Sequence, residues 1–167
     1  AKAAGGGLHF VLGNHEAMIM ANDLRYIAPK YLEVTKTLGM TYDNLVGADT
    51  EIGRWLRSRH IVMRIGRWIF VHGGLAPEIP IDATNLEDSN KRIRGVLGID
   101  PTTAPPHADR LAWAFAWSGR GPFWYRGYFP DFSTDGVFGP TPPQKDIDAL
   151  VDRLGGETIV VGHTKVT

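Results

Sequence analysis

Polar side chains that bind metals or carry protons follow directly after apolar runs at three places in this sequence. The segments are Gly13-Asn14-His15-Glu16, His72-Gly73-Gly74 and Gly162-His163-Thr164. Each follows a short run at residues 8–12, 67–71 or 157–161 that contains β-branched or aromatic residues and is typical of a buried strand. Sites in open α/β sheets gather beyond the carboxyl ends of the strands. We therefore expect the three segments to converge on one site.

Asn14 and His15 can serve different partners, because neighbouring side chains of an extended loop point to different sides. Asn14 offers a neutral amide oxygen to a hard divalent cation. His15 is suited to proton transfer, since imidazole titrates close to neutral pH, and Glu16 can hold a neighbouring backbone group or histidine. The alternative is that Asn14 only caps a helix beginning at His15, a role in which asparagine is common.

His72 and His163 each stand at the end of an apolar strand, next to glycine. The two glycines after His72 let the backbone turn sharply and bring the imidazole beside an ion. The same arrangement around His163 predicts that both residues are metal ligands, although a histidine at a strand end can also be purely structural. The other histidines lack this setting and receive no role: His9, His60 and His107.

Arg126 lies in the segment Gly121-Pro122-Phe123-Trp124-Tyr125-Arg126-Gly127, where aromatic neighbours would hold a long side chain in place. A guanidinium group matches two phosphate oxygens, so Arg126 is a candidate phosphate-binding residue. The alternative is that its guanidinium stacks on Trp124 or Tyr125 as plain packing.

The composition is that of a globular protein, with 43% hydrophobic and 22% charged residues among 167. The formal net charge of +0 offers no general attraction for nucleic acid or an anionic membrane, and no apolar run is long enough to span a bilayer. The chain has no cysteine, so a metal would have only nitrogen and oxygen ligands. We expect a single domain over 1–167 that is soluble, with its compartment open between cytoplasm and periplasm.

The elements predicted between these segments alternate between helix and strand. A hairpin is expected from strands at 60–65 and 68–71 around Gly66-Arg67, a pair suited to a type II′ turn. The tract from Trp113 to Gly139 is rich in aromatics, glycine and proline and predicts irregular structure. Helices are predicted at 15–27, 30–38, 50–58 (with Ile52, Trp55 and Leu56 as its apolar stripe), 84–97 behind a capping box at Thr84, and 144–154 behind one at Thr141.

In this order, the three segments and the longer run His72-Gly73-Gly74-Leu75-Ala76-Pro77-Glu78 resemble the later motifs of the calcineurin-like metallophosphoesterases. The resemblance is to the phosphoprotein phosphatase branch. Trp124-Tyr125-Arg126-Gly127 adds a likeness to the bacterial Shewanella-like phosphatases. The matching motifs extend over nearly the whole chain, from about residue 13 to residue 164.

The resemblance implies an α/β fold in which two mixed sheets pack face to face, flanked by helices. It also implies two divalent metal ions, Mn, Fe or Zn, at the strand ends, and hydrolysis of phosphoric monoesters on proteins, peptides or small molecules. On the matching positions, Asn14, His72 and His163 would ligate one metal, His15 would protonate the leaving oxygen and Arg126 would bind the phosphoryl group. Glu16 would support them.

Two opening motifs of that family, Gly-Asp-x-His and Gly-Asp-x-x-Asp-Arg-Gly, are absent from this sequence. Both termini also read like the interior of a longer chain, so the expectation is a partial domain that by itself binds metal poorly and is inactive. Two alternatives remain open. One is a phosphodiesterase or nucleotidase on the same core, and the other is a non-catalytic module whose aromatic tract binds sugar or peptide.

Overall fold

The computed structural model of the chain describes residues 2–78, 85–103, 109–133 and 136–166. In these residues, helices alternate with a small sheet, which confirms the predicted α/β class. The helices are α1 (Asn14–Met20), α2 (Pro29–Thr37), α3 (Tyr42–Leu45), α4 (Glu51–Arg57), α5 (Leu86–Arg94), α6 (Arg110–Trp117) and α7 (Gln144–Arg153). The strands are β1 (Val62–Ile65), β2 (Trp68–Val71) and β3 (Thr158–Val160), and short 3₁₀ turns lie at Lys2–Ala4 and Pro130–Phe132.

The sheet has the order β1-β2-β3, with β2 antiparallel to β1 and parallel to β3. Gly66 has a φ of 60° in the β1–β2 turn and Arg67 has no positive φ, as the predicted type II′ hairpin requires. Parallel pairing brings the carboxyl ends of β2 and β3 to one edge of the sheet. Beyond that edge, the backbone N–H groups of Gly162 and His163 both donate to the His72 carbonyl, at 2.9 and 2.8 Å.

The strand predicted at residues 8–12 does not form. Val11 makes a single isolated parallel bridge to His60, and the Leu12 N–H donates to the His60 carbonyl at 2.9 Å. A strand needs a ladder of such bonds, and Leu8 in this segment is 87% exposed. The apolar pattern therefore predicted a strand where the structure has a single bridge.

Helix α1 ends seven residues before the predicted Ile27. Asn22 takes a left-handed conformation with a φ of 58°, and the Asp23 N–H turns back to the Met18 carbonyl at 2.9 Å. Asparagine tolerates that conformation better than most residues, so it ends the helix well before Pro29 does. The loop at 21–28 that results places Tyr26 beside the start of α1.

The helices predicted around α2 and α4 are confirmed, and Thr50 caps α4 by accepting the Gly53 N–H at 2.9 Å. The predicted apolar stripe of α4 is partly wrong, because Leu56 is buried while Ile52 and Trp55 are 50% and 44% exposed. Helix α6 was missed, because its part from Trp113 onward fell within the aromatic tract that predicted irregular structure and no element was predicted at residues 110–112. The segment at Tyr42–Leu45 was also missed as a helix.

The predicted capping residues are wrong at two helices. Asn85 caps α5 by accepting the Asp88 N–H at 2.9 Å, while Thr84 lies outside the described residues. Pro143 stands at the cap of α7 without a side-chain cap, so Thr141 has no such role. Helix α5 also ends at Arg94, three residues before the predicted Leu97.

The core is one cluster of buried side chains from the helices, from β1 and β2, and from the segments between them. Ile69 of β2 is fully buried, and α7 contributes residues at the predicted spacing. Asn90 is a buried polar residue of α5 that sequence reasoning did not single out. Its amide oxygen accepts the Ile61 and Val62 N–H groups at 2.7 and 3.1 Å, and its NH₂ group donates to the carbonyls of Val62 and Leu86, both at 2.8 Å. These bonds attach α5 to the start of β1.

The three strands form a single sheet in the described part of the chain, so the packing of two sheets stays a prediction. Among the same residues, no helix is long and apolar enough to cross a membrane.

Candidate functional site

The structure brings Asn14, His72 and His163 together at the edge of the sheet where β2 and β3 end. Nε2 of His72 lies 2.8 Å from Oδ1 of Asn14 and 2.9 Å from Nδ1 of His163. Asn14 is the first residue of α1, while His72 directly follows β2 and His163 lies just beyond β3. The three segments therefore converge as the sequence predicts.

Asn14 does not act as the cap of α1, because Gly13 occupies that position. The Asn14 side chain is instead buried and directed at His72. The alternative role as a simple helix cap is therefore wrong. A side-chain amide that is buried beside two imidazoles is available as an oxygen ligand.

These three side chains suit a divalent cation in their chemistry. Burial lowers the pKa of the His72 imidazole, and burial followed by the charge of Arg126 lowers the pKa of His163 to about 4. Both rings are therefore neutral near pH 7, which is the form that binds metals. In the described residues no group of three or more His, Asp or Glu side chains forms a metal site, so the candidate set depends on the Asn14 amide.

If the Asn14 side-chain oxygen faces His72, there are too few hydrogen atoms for both contacts of His72 Nε2 to be hydrogen bonds. Nε2 of His72 carries at most one proton, yet it lies within hydrogen-bond distance of both Asn14 and His163. Two arrangements satisfy all three atoms. Either the NH₂ group of Asn14, instead of its oxygen, faces His72, or a cation lies between the three side chains and accepts a lone pair from each. Nitrogen and oxygen sets of this kind bind Mn, Fe and Zn.

His15 and Glu16 both lie in the first turn of α1, but their side chains contact different partners. His15 is exposed, and its ring stacks on Tyr26 with centroids 5.4 Å apart and planes within 9°. The Glu16 carboxylate accepts the Gly13 N–H at 2.8 Å, which fixes the backbone just before Asn14. Tyr26 was not predicted to contact His15, because the stack depends on the early end of α1.

Arg126 reaches the site from the aromatic tract. Its Nη2 lies 2.9 Å from Nε2 of His163, and its guanidinium lies 4.9 Å from the centroid of the Phe132 ring. The structure thus stacks Arg126 on Phe132 rather than on Trp124 or Tyr125, the two partners that sequence proximity suggested. Sequence proximity predicted the wrong partners because the turn at residues 127–131 brings Phe132 back to the Arg126 guanidinium.

Two close contacts hold the aromatic tract against the loop after β2. A Cβ atom on Gly73 would lie 2.7–2.9 Å from backbone atoms of residues 123–125, so no larger residue fits there. The Tyr128 hydroxyl accepts the Leu75 N–H at 3.1 Å and donates to the Leu75 carbonyl at 2.6 Å. Tyr128 was missed from the sequence, where nothing separates it from the other aromatics of the tract.

One cavity of about 400 Å³ collects every residue that the sequence assigned to the site. Its lining is Asn14, His15, Glu16, His72, Arg126, Gly162 and His163. A second cavity of about 330 Å³ shares Arg126 and His15 and is lined further by the aromatic side chains of Tyr26, Trp124, Phe132 and Phe138. The residues without a predicted role lie elsewhere: His60 is 3.5 Å from Glu87, and His107 is outside the described residues.

The fold and site define an α/β protein with a cluster of potential metal ligands at the sheet edge, next to an arginine and an aromatic cavity. Solved phosphatase structures share this fold. The chain is 35% identical, with a TM-score of 0.78, to the cold-active protein tyrosine phosphatase of a psychrophilic Shewanella species. A mutant of a cold-active protein tyrosine phosphatase matches at 34% identity and a TM-score of 0.77, and a further structure of such an enzyme at 32% and 0.77.

These matches cover 98–99% of this chain but only 46% of each solved chain. The chain thus spans about half the length of the phosphatases that it resembles. No protein-family model matches it, and no curated protein matches it at a significant level.

Proposed function

We propose that this chain is part of a metal-dependent phosphatase of the calcineurin-like type, which hydrolyses phosphoric monoesters. The observation that carries the proposal is the meeting of three side chains: Oδ1 of Asn14 and Nδ1 of His163 both lie within 2.9 Å of Nε2 of His72. The cavity that holds these atoms is also lined by Arg126 and His15. The likeness to phosphatase structures over 98% of the chain supports the phosphatase part of this proposal. We further propose that the full-length protein has the two-sheet sandwich of that family.

In this proposal, Asn14, His72 and His163 hold one of two divalent ions. A pair of such ions lowers the pKa of water and stabilises charge on the attacking and leaving oxygens of an in-line displacement. All three proposed ligands are neutral, whereas dinuclear centres also use carboxylates, and the described residues offer no further cluster of acidic or histidine ligands. We propose that the remaining ligands come from residues outside this chain.

The other residues of the cavity act on the substrate. His15 is exposed to the cavity and is held by Tyr26, so its imidazole can deliver a proton to the leaving oxygen. Arg126 offers two N–H groups in one plane to the phosphoryl oxygens. Glu16 keeps the backbone ahead of Asn14 in position through the Gly13 N–H.

The aromatic cavity favours an aryl phosphate as the substrate. Tyr26, Trp124, Phe132 and Phe138 surround a space of about 330 Å³ directly beside Arg126, and a phenyl ring can stack there while its phosphoryl group faces the cluster. The matched structures are protein tyrosine phosphatases. We therefore propose phosphotyrosine in peptides or proteins as the preferred substrate, ahead of phosphoserine, phosphothreonine and small alkyl phosphates.

Assays of the full-length protein with Mn²⁺ test this proposal. We expect turnover of p-nitrophenyl phosphate and phosphotyrosine peptides, loss of that turnover with a chelator, and a loss of more than about 100-fold in His72→Ala. His60→Ala, outside the cavity, is the control and keeps wild-type turnover. Undiminished activity in His72→Ala would refute the metal assignment. Preference for bis(p-nitrophenyl) phosphate would identify a phosphodiesterase, and a metal-free protein that binds sugar or peptide without turnover would identify a binding module.

A further inference from the structure

The contact between Arg126 and His163 determines which nitrogen of the His163 ring carries its proton. A guanidinium group has N–H donors and no acceptor. Because Nη2 of Arg126 lies 2.9 Å from Nε2 of His163, this nitrogen must present a lone pair. The single proton of the neutral ring is therefore on Nδ1, the atom that faces His72 at 2.9 Å.

That proton occupies the position a metal would need. A cation held by Asn14, His72 and His163 requires the lone pair of His163 Nδ1, since this is the atom that faces the other two donors. The proton would then lie on Nε2, and the Nε2–H group would face the N–H group of Arg126. Two donors 2.9 Å apart repel each other, so the hydrogen bond between Arg126 and His163 cannot persist.

We infer that Arg126 and the metal exclude each other at His163: in the metal-free site Arg126 locks the ring with its proton on Nδ1, and metal binding releases the guanidinium. This inference rests on the proposed function. Arg126 has room to move, because it lines both cavities and keeps its stacking surface on Phe132. The metal would thus be bound first, and Arg126 would become free for phosphoryl oxygens only afterwards.

The ring proton can be located directly by NMR of full-length protein labelled with ¹⁵N-histidine, with His163 assigned by His163→Gln. We expect the His163 proton on Nδ1 in the metal-free protein and on Nε2 at saturating Zn²⁺, a diamagnetic probe. A proton already on Nε2 without metal, or an unchanged tautomer with Zn²⁺ bound, would overturn the inference alone. Failure of Zn²⁺ to bind at all would overturn the proposed metal site and the inference with it.

Zn²⁺ affinity gives a second measurement. Arg126→Met removes the competing hydrogen bond, so we expect Zn²⁺ to bind roughly tenfold more tightly, the equivalent of one charge-assisted hydrogen bond at the low end of its range. Arg25→Met is the matched control, since Arg25 is a cation next to Tyr26 that bonds to Asp23. It should change the affinity by less than about threefold. Equal effects of the two substitutions would show that charge alone is responsible and would contradict the inference.

Discussion

Nε2 of His72 and Nδ1 of His163 lie 2.9 Å apart although the residues are 91 positions apart in the chain. The parallel pairing of β2 with β3 produces this contact, because it brings both strand ends to one edge of the sheet. The His72 carbonyl reinforces it by accepting the Gly162 and His163 N–H groups. The geometry of the candidate metal site is thus a direct consequence of sheet topology.

The proposed role of His15 as a proton donor predicts a dependence on the leaving group. We expect His15→Ala in the full-length protein to lower kcat by about 10²–10⁴-fold on phosphotyrosine peptides. The loss should be smaller on p-nitrophenyl phosphate, because its leaving oxygen is a weaker base and needs less protonation. Steady-state kinetics on both substrates measures the difference, with His60→Ala as the control. Equal losses on the two substrates would contradict the role of His15 as a general acid.

The Tyr128 hydroxyl is expected to stabilise the loop that carries His72. Tyr128→Phe removes both hydrogen bonds to Leu75 and leaves a part-buried N–H and C=O without that partner. We expect a loss of about 1–3 kcal/mol in the free energy of unfolding, measured with urea. Tyr31→Phe on the exposed side of α2 is the control and should change it by less than about 0.5 kcal/mol. Similar values for the two variants would show that the Leu75 bonds contribute little.

Gly73 is expected to tolerate no side chain. In Gly73→Ala the new Cβ would lie 2.7–2.9 Å from backbone atoms of residues 123–125, so the aromatic tract and Arg126 with it must shift. We expect a lower melting temperature together with reduced phosphatase activity. Gly162→Ala is a matched control for stability, because its Cβ would meet no atom within 4 Å and its φ is not positive. A wild-type melting temperature in Gly73→Ala would contradict the tight packing of Gly73 against residues 123–125.

Asp109 is expected to make the stability of α6 depend on pH in acid. The Arg92 side chain first, and then the Ala112 N–H, hold the pKa of the Asp109 carboxyl below its usual value. A lowered pKa in the folded state means that the stabilisation is complete above the unfolded pKa of about 3.9 and is lost as pH falls below it.

Unfolding with urea at pH 7 and pH 3 tests this expectation. Asp109→Ala should cost about 0.5–2 kcal/mol at pH 7, the usual effect of losing a helix cap. Asp109→Asn keeps a capping oxygen without the charge and should cost less. The difference between wild type and Asp109→Asn should shrink at pH 3, because the carboxyl of the unfolded chain takes up a proton there more readily than that of the folded chain. A difference that is constant between the two pH values would contradict the contribution of the charge.

The sequence by itself determined the candidate site residues and most of the regular elements around them. His72 and His163 were predictable because each follows an apolar strand, and the ends of parallel strands in α/β proteins meet at one edge. Asn14 joins them from an apolar segment that makes a single bridge and forms no strand. The hairpin at Gly66 and the last helix were predictable because turn chemistry and apolar spacing are local properties.

Only the tertiary structure decided which contacts these residues make. The segment at 8–12 has the composition of a strand but makes only the bridge at His60, and α1 ends at a left-handed Asn22 rather than at the proline. Arg126 stacks on Phe132 and bonds to His163, residues that local sequence does not connect with it. Such outcomes depend on long-range packing and on the competition of each polar atom for partners, neither of which periodicity or spacing records.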